Sequence, residues 1–166
     1  MAEEFASFVQ TTSAQLYRTA LLLTGDHHLA EDLTQSTYAK VFAGWKKVSR
    51  AGNPVGYTRT ILMNTFLSHR RLRRTGETPG RAADLTETLA LEGASDADPS
   101  TRVDLLAALA QLSPTDRAVL VARYWEDRSI TETAHDLGLT ETAVRTRAKR
   151  AIDRLRPLVR DLEGIL

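Results

Sequence analysis

Residues 129–156 read SITETAHDLGLTETAVRTRAKRAIDRLR, and they carry the strongest structural signal in the C-terminal half of the chain. Ser129 and Glu132 have the Ser-x-x-Glu spacing of a capping box, which predicts the start of a helix. Gly138 can adopt the left-handed backbone that ends such a helix, and Thr140 can cap a second helix of about fifteen residues. Two short helices joined by a glycine-containing turn form the pattern of a helix-turn-helix.

The second helix of this motif has one apolar and one basic side. Its apolar positions recur at helical spacing and are predicted to pack on the preceding helix: Val144, Ala148, Ile152 and Leu155 against Ile130, Ala134 and Leu137. The other side carries hydroxyl and basic donors suited to base edges and phosphates in a major groove. The predicted DNA-binding set is Thr142, Arg145, Thr146, Arg147, Lys149 and Arg150. The alternative is an amphipathic helix whose basic side is only solvated.

The residues before this motif predict two further short helices. One contains Val103, Leu106 and Leu109, and the next begins at Ser113, whose neighbour is a proline at the first helical position. Residues 101–166 are therefore predicted to form a domain of four short helices.

The N-terminal part of the chain has the same helical spacing of apolar residues. It predicts helices over residues 3–23 and 26–45 and a third that begins at Pro54. Asp26 and Asn53 are suitable N-caps for the second and third helices. Residues 1–74 are therefore predicted to form a three-helix domain.

Residues 75–100 separate the two domains and have a different composition. They contain prolines, glycines and six acidic residues against one basic residue, whereas residues 1–74 hold 10 basic and 5 acidic residues. Such a segment is predicted to be a flexible acidic linker, and fully extended it would reach roughly 80 Å. No strand-like alternation occurs, so the predicted fold class is all-α: two small helical domains, the C-terminal one containing a helix-turn-helix.

A second basic segment lies in the N-terminal domain. Residues 52–74 read GNPVGYTRTILMNTFLSHRRLRR, in which aromatic, amide and hydroxyl side chains precede four arginines. A positive track can hold phosphates of a single strand while aromatic and amide groups contact unstacked bases. The alternative is a solvated helix end whose arginines complement the helix dipole.

The predicted second helix, DHHLAEDLTQSTYAKVFAGW at residues 26–45, begins with histidines and acids. His27, His28, Glu31 and Asp32 have a spacing that could suggest a metal site, but no third ligand is evident and acids favour a first helical turn. We expect no metal here. An exposed acidic helix is better interpreted as a surface that contacts another protein.

The composition excludes several classes of protein. The chain has no cysteine, which removes disulfides, thiolate catalysis and cysteine-ligated zinc. It has no Gly-rich phosphate loop and no paired carboxylates with an evident base, so we expect no enzyme and no cofactor. Without an export signal or an apolar stretch of spanning length, we expect a cytoplasmic protein that does not contact a membrane.

In their order along the chain, these segments resemble the extracytoplasmic-function group of bacterial sigma factors, and especially the actinobacterial sigma-E-like branch. AEDLTQSTYAKVFAGW resembles the helix that binds core RNA polymerase, and NPVGYTRTILMNTFLSHRRLRR resembles the helix that melts the promoter and binds its minus-ten element. LSPTDRAVLVARYWEDRSITETAHDLGLTETAVRTRAKRAIDRLR resembles the domain that binds the minus-thirty-five element.

The resemblance implies roles for particular residues. Contacts to the clamp of the large polymerase subunit would come from Glu31, Asp32, Leu33, Gln35, Phe42 and Trp45. Contacts to the minus-ten element and the melted strand would come from Asn53, Arg59, Asn64, His69, Arg70, Arg71, Arg73 and Arg74. The C-terminal domain would contact the polymerase flap and use its basic helix on the upstream promoter element, and an anti-sigma factor is a further partner that the resemblance allows.

The main alternative is a stand-alone helix-turn-helix regulator whose first domain dimerises or senses a ligand. Such a regulator should show a long apolar seam for self-association, and it has no need of a second basic helix before an acidic linker. Elution with core RNA polymerase distinguishes the two.

Overall fold

The computed structural model describes residues 1–73, with side chains up to His69, and residues 105–158. Both parts are helical and contain no strand, which confirms the all-α prediction. The predicted acidic linker, Arg74, and the side chains of Arg70, Arg71 and Arg73 lie outside the described residues. No described helix combines the length and the apolar character that crossing a membrane requires.

The N-terminal part contains four helices: α1 (Ala2–Thr24), α2 (His27–Ala43), α3 (Trp45–Ser49) and α4 (Pro54–Arg73). The prediction of one unbroken second helix as far as Trp45 is wrong, because the helix is interrupted at Gly44. At Gly44 the backbone leaves the helical region, with φ −108° and ψ 24°, so that Trp45 starts a separate helix.

The N-caps predicted from the sequence, Asp26 for α2 and Asn53 for α4, are confirmed. Gly25 ends α1 with a left-handed φ of 72°. The Asp26 carboxylate accepts hydrogen bonds from the backbone N–H groups of His28 and Leu29, which otherwise have no partner at a helix start. Asn53 accepts a hydrogen bond from the Gly56 N–H at 3.0 Å and caps α4.

The C-terminal part contains α5 (residues 105–109), α6 (Pro114–Leu120), α7 (Ile130–Leu137) and α8 (Glu141–Leu155). A wider π-helical turn, Val121–Trp125, continues directly from α6. The predicted capping box at Ser129 is present, and Gly138 has a left-handed φ of 67° between α7 and α8. The helix-turn-helix is therefore formed as predicted.

Two apolar clusters lie inside the separate domains. In the N-terminal domain, Trp45 is buried beside Phe5 and Phe8, with ring centroids 5.5 and 5.2 Å away. In the C-terminal domain, α8 inserts its apolar side among α5, α6 and α7. The buried members of that cluster are Ala108, Leu109, Leu112, Val119, Leu120, Ala134, Val144, Ala148, Ala151 and Leu155.

A third cluster joins the two domains. Side chains of α1, α2 and α4, including Leu16 and Leu62, share it with Leu106, Ala118 and Val121 of the C-terminal domain. The length of the linker allowed the domains to lie apart, but here they pack on one another because small side chains on α6 and its π-helical turn admit the larger ones of α1 and α4.

Candidate nucleic-acid interface

The outward side of α8 is an exposed row of donors. Its apolar side is buried against the C-terminal core, and this orientation leaves the opposite side in solvent. The exposed members of the predicted DNA-binding set are Thr142, Arg145, Thr146, Lys149 and Arg150. Because these positions recur at three- and four-residue steps, they form one continuous strip along the helix.

Arg147 belongs to the predicted set but is placed differently. Its Nη1 donates to Oδ1 of Asp116 at 2.7 Å, and the Arg147 side chain is 32% exposed. Arg150 lies farther from the same oxygen, at 3.5 Å, and its side chain is 60% exposed. Asp116, which is buried in the first turn of α6, thus fastens α8 to α6 through Arg147.

The start of α7 and its junction with α8 are ordered by polar contacts. Glu132 accepts a hydrogen bond from the Ser129 N–H at 3.0 Å and pairs with Arg128 at 2.6 Å. The hydrogen bonds with Ser129 and then the nearby Arg128 lower the pKa of Glu132 below its usual value. The Thr131 hydroxyl donates to Glu141 at 2.5 Å, which links α7 to the first turn of α8.

The described residues predicted to contact the opened strand lie on α4 or just before it, and they differ in how exposed they are. Asn53 and Asn64 are exposed, although the side-chain oxygen of Asn53 already caps the helix. His69 is partly buried. Arg59 does not extend into solvent: its Nε lies 2.5 Å from Oε2 of Glu126, and its side chain is 16% exposed.

The residues predicted to contact polymerase also differ in burial. Glu31, Asp32 and Gln35 are exposed, and Phe42 is half-exposed and packs against Phe5 with ring centroids 4.9 Å apart. Glu31, Gln35 and Phe42 share one side of the helix because their spacing is close to whole turns.

Two residues assigned to the same contact lie elsewhere. Leu33 and Trp45 are buried in the apolar clusters, so in this arrangement they support the helix and do not form its surface. The neighbouring His27 and His28 rings stack at 4.0 Å, and within residues 1–73 and 105–158 no three His, Asp or Glu side chains are grouped to hold a metal ion.

Three acidic residues that organise these surfaces are absent from the predicted site residues. Asp116 holds α8, while Glu126 and Asp136 contact α4. Asp116 follows Ser113-Pro114 and has the position of an ordinary first-turn acid. Glu126 carries no local signal, since its partners Thr19 and Arg59 are far away in sequence. Asp136 pairs with Arg128 of its own domain at 2.9 Å and accepts a hydrogen bond from the distant Thr60.

Comparison with known families matches both parts of the chain. Residues 8–76 match the family model described as Sigma-70 region 2, and residues 108–157 match the model described as Sigma-70, region 4.

Similar proteins cover nearly the whole chain. It is 33% identical over 165 residues to the RNA polymerase sigma-E factor of Streptomyces coelicolor, covering 97% of this chain and 90% of that protein. It is 31% identical over 152 residues to the ECF RNA polymerase sigma factor SigL of Mycobacterium tuberculosis H37Rv, covering 90% and 85%.

Solved structures share the fold at lower identity. The sigma factor RpoE, solved in complex with the anti-sigma factor NepR from Bartonella quintana, superposes with a TM-score of 0.71 at 24% identity, covering 94% of this chain and 96% of that one. CnrH, solved in complex with the cytosolic domain of CnrY, gives a TM-score of 0.63 at 23% identity, covering 99% and 90%.

Proposed function

This chain belongs to the extracytoplasmic-function group of bacterial sigma factors, and on that premise we propose how its helices divide the work of transcription initiation. A sigma factor recognises promoters for RNA polymerase, and both promoter-recognition regions of the family are matched. The match to residues 8–76 does not favour a stand-alone helix-turn-helix regulator, because such a regulator needs no Sigma-70 region 2.

The upstream promoter element is bound by α8 in the major groove. The observation that carries this proposal is the exposed strip of Thr142, Arg145, Thr146, Lys149 and Arg150, opposite a buried apolar side. Arginine and lysine donate to guanine, and the threonines can contact either base pair or a phosphate. Arg147 is left out of this strip because Asp116 holds it.

The minus-ten element and the melted strand are bound by α4. Asn64 is exposed in the middle of this helix, and amide groups can hydrogen-bond an unstacked base. Arg59, His69 and the arginines at 70, 71, 73 and 74 remain the proposed contacts to the strand, with Asn53 at the start of the helix. In this structure Arg59 forms an ion pair with Glu126, and this ion pair has to break before Arg59 can contact the strand.

Core RNA polymerase is bound through the exposed side of α2. Glu31, Asp32 and Gln35 supply charge and hydrogen bonds, and the half-exposed Phe42 supplies an aromatic anchor on the same side. The polymerase clamp is the proposed partner of this side, and the flap that of the C-terminal domain.

The remaining proposals concern the setting in which the protein acts. It works in the cytoplasm without a cofactor and performs no reaction itself, because polymerase carries the chemistry. An anti-sigma factor is proposed as a further partner, since the two similar structures described above are complexes with such proteins or a cytosolic partner domain.

The experiment combines the purified protein with core polymerase and a fragmented genomic DNA library, and sequences the transcripts that start. We expect a defined set of start sites with shared upstream and minus-ten sequences. Random starts identical to those of core alone would overturn the proposed function. Tight binding to a palindrome without polymerase would support the regulator instead.

A further inference from the structure

An acidic side chain lies at the start of the exposed strip on α8 and is not one of its predicted members. Glu141 is the first residue of α8, is exposed, and precedes Arg145 by four residues and Lys149 by eight. Because four residues make about one helical turn, these three side chains lie on the same side of the helix. The N-terminal residues of a recognition helix contact base edges, so Glu141 lies at the end of α8 that enters the groove.

A contact from the preceding helix holds the Glu141 carboxylate. The Thr131 hydroxyl of α7 donates to Oε1 of Glu141 at 2.5 Å. Among the described residues, nothing donates to the other oxygen, Oε2. Thr131 and Glu141 belong to the two helices of the helix-turn-helix, so this bond fixes the carboxylate relative to the motif. The second oxygen can accept a further hydrogen bond.

The charge of Glu141 is compensated differently from that of four other acids in the C-terminal domain. Each of those four pairs with an arginine: Asp116, Glu126, Glu132 and Asp136. In residues 1–73 and 105–158 Glu141 forms no ion pair, although Arg145 has the four-residue spacing at which such pairs stabilise a helix. The hydroxyl of Thr131 is neutral, so the carboxylate keeps its full charge at the side that faces DNA.

A carboxylate is only an acceptor, and this restricts the bases that it can face. In the major groove cytosine presents an amino donor, whereas guanine and thymine present acceptors and adenine presents a donor beside an acceptor. Cytosine N4 is therefore the group that suits Glu141 best, while guanine and thymine repel it. Nearby phosphates repel it as well, so its charge lowers the affinity for every sequence that offers no donor.

We propose that Glu141 is a specificity-determining residue of the upstream promoter contact, which accepts a hydrogen bond from a cytosine amino group and disfavours guanine and thymine at that position. Thr131 is its positioning residue. This inference rests on the proposed function of α8. Selection comes from repulsion of the wrong bases as much as from attraction of the right one. The basic members of the strip supply the affinity that the carboxylate costs.

The place of this cytosine follows from the dimensions of the two helices. Glu141 and Arg145 are about 6 Å apart along α8, and successive base pairs of DNA are about 3.4 Å apart. The base that depends on Glu141 should therefore lie within about three base pairs of the base that depends on Arg145. A larger separation between the two positions would overturn the proposal.

The test selects promoter duplexes with holoenzyme assembled from core polymerase and the full-length protein. The duplexes carry the minus-ten region of one start site from the transcription experiment and random bases over the upstream element, and the bound fraction is sequenced. The proteins compared are the original, Glu141→Gln, Arg145→Ala and the matched control Asp153→Asn. Asp153 is exposed about three turns along the same helix, so the control makes the same change in net charge away from Glu141.

We expect the original protein to prefer cytosine over guanine or thymine about tenfold at one position. Glu141→Gln should replace this with a preference for adenine, because an amide binds N6 and N7 together, and should bind duplexes without the cytosine a few fold more tightly. The control should keep the cytosine preference. Identical base preferences in the original protein and Glu141→Gln would overturn the proposal. So would an equal change in affinity for all sequences, which a helix-dipole or net-charge effect would give.

Thr131 is tested by two further variants in the same selection. Thr131→Val removes the hydroxyl and keeps the shape, whereas Thr131→Ser keeps the hydroxyl. We expect Thr131→Val to reduce the cytosine preference about threefold and Thr131→Ser to retain it, because one neutral hydrogen bond orients the carboxylate. A loss of fold would reduce binding to all sequences and would not change one base preference. Equal cytosine preferences in the two variants would overturn the role of Thr131.

The same selection separates this inference from the proposed function. If the original protein enriches an upstream element and Glu141→Gln enriches the same bases, only the role of Glu141 is wrong. If the original protein enriches no upstream bases, α8 does not bind an upstream element, and the proposed function fails together with the inference that rests on it.

Discussion

Arg147 of α8 donates a hydrogen bond from Nη1 to Oδ1 of Asp116 in α6, at 2.7 Å. The bond crosses the C-terminal domain and ends on a buried carboxylate, whereas Arg145, two residues earlier, is exposed. Two arginines of one basic helix thus have different tasks. Arg147 orients the helix, and Arg145 is available to DNA.

The first prediction compares these two arginines. Arg147→Ala should lower the free energy of unfolding by about 1 kcal/mol, which is less than a hydrogen bond between charged groups usually contributes, because the Arg147 side chain is about one-third exposed. Arg145→Ala should change stability by less than about 0.5 kcal/mol and weaken promoter binding by about 1–3 kcal/mol. Urea unfolding and binding of holoenzyme to promoter DNA measure the two effects.

The opposite pattern would contradict this division. If Arg147→Ala left urea unfolding unchanged and weakened promoter binding as much as Arg145→Ala, then Arg147 would be a DNA contact after all. Asp153→Asn, an exposed change on the same helix, is the control for stability.

The features that the sequence predicts correctly are those held by short-range interactions. Asp26 and the Ser129–Glu132 pair were identified because each cap joins residues at most three apart. The outward strip of α8 followed from the helical period alone. These features depend on local geometry, which the order of residues determines directly.

The missed features depend on contacts across the fold. The resemblance gives Arg59 a contact to DNA, and nothing near Arg59 in the sequence indicates that it pairs with Glu126 of the other domain. Leu33 and Trp45 were assigned to a surface because they occur in the family's motif, whereas packing against α1 buries them. A sequence pattern shows that a helix side is apolar or charged and does not show which element covers it.

The second prediction concerns the polymerase contact. Glu31→Lys/Asp32→Lys should abolish elution with core polymerase while leaving helical content unchanged, because both side chains are exposed and the reversal removes the charges that the proposed contact uses. The matched control is Glu3→Lys/Glu4→Lys, the same charge reversal on exposed residues of the first turn of α1. Gel filtration with core polymerase measures the outcome. Normal elution of the first variant would remove α2 from the proposed interface.

The third prediction concerns pH and the capping box before α7. Bonds with Ser129 lower the pKa of Glu132, so the ionised carboxylate stabilises the folded state. That contribution is fully present above the usual value of 4.5 and is lost as the pH falls through the lower folded-state pKa. Glu132→Gln should therefore reduce the loss of thermal stability that the original protein shows on acidification below 4.5. An identical acid dependence in both proteins would show that the cap does not contribute.

The last prediction separates promoter binding from promoter melting. Arg145 and Lys149 lie one turn apart on the exposed strip of α8, where they can contact base edges of a closed duplex, each good pair contributing about 1–3 kcal/mol. Arg145→Ala/Lys149→Ala should therefore reduce promoter occupancy, and a higher holoenzyme concentration should restore both occupancy and melting. Asn64 is exposed on α4 and is suited to a base that has left the stack. Asn64→Ala should leave occupancy nearly intact and lower the permanganate reactivity of thymines in the opened region, at any concentration. Normal melting with Asn64→Ala, together with lost melting at full occupancy in the α8 variant, would reverse the roles of the two helices.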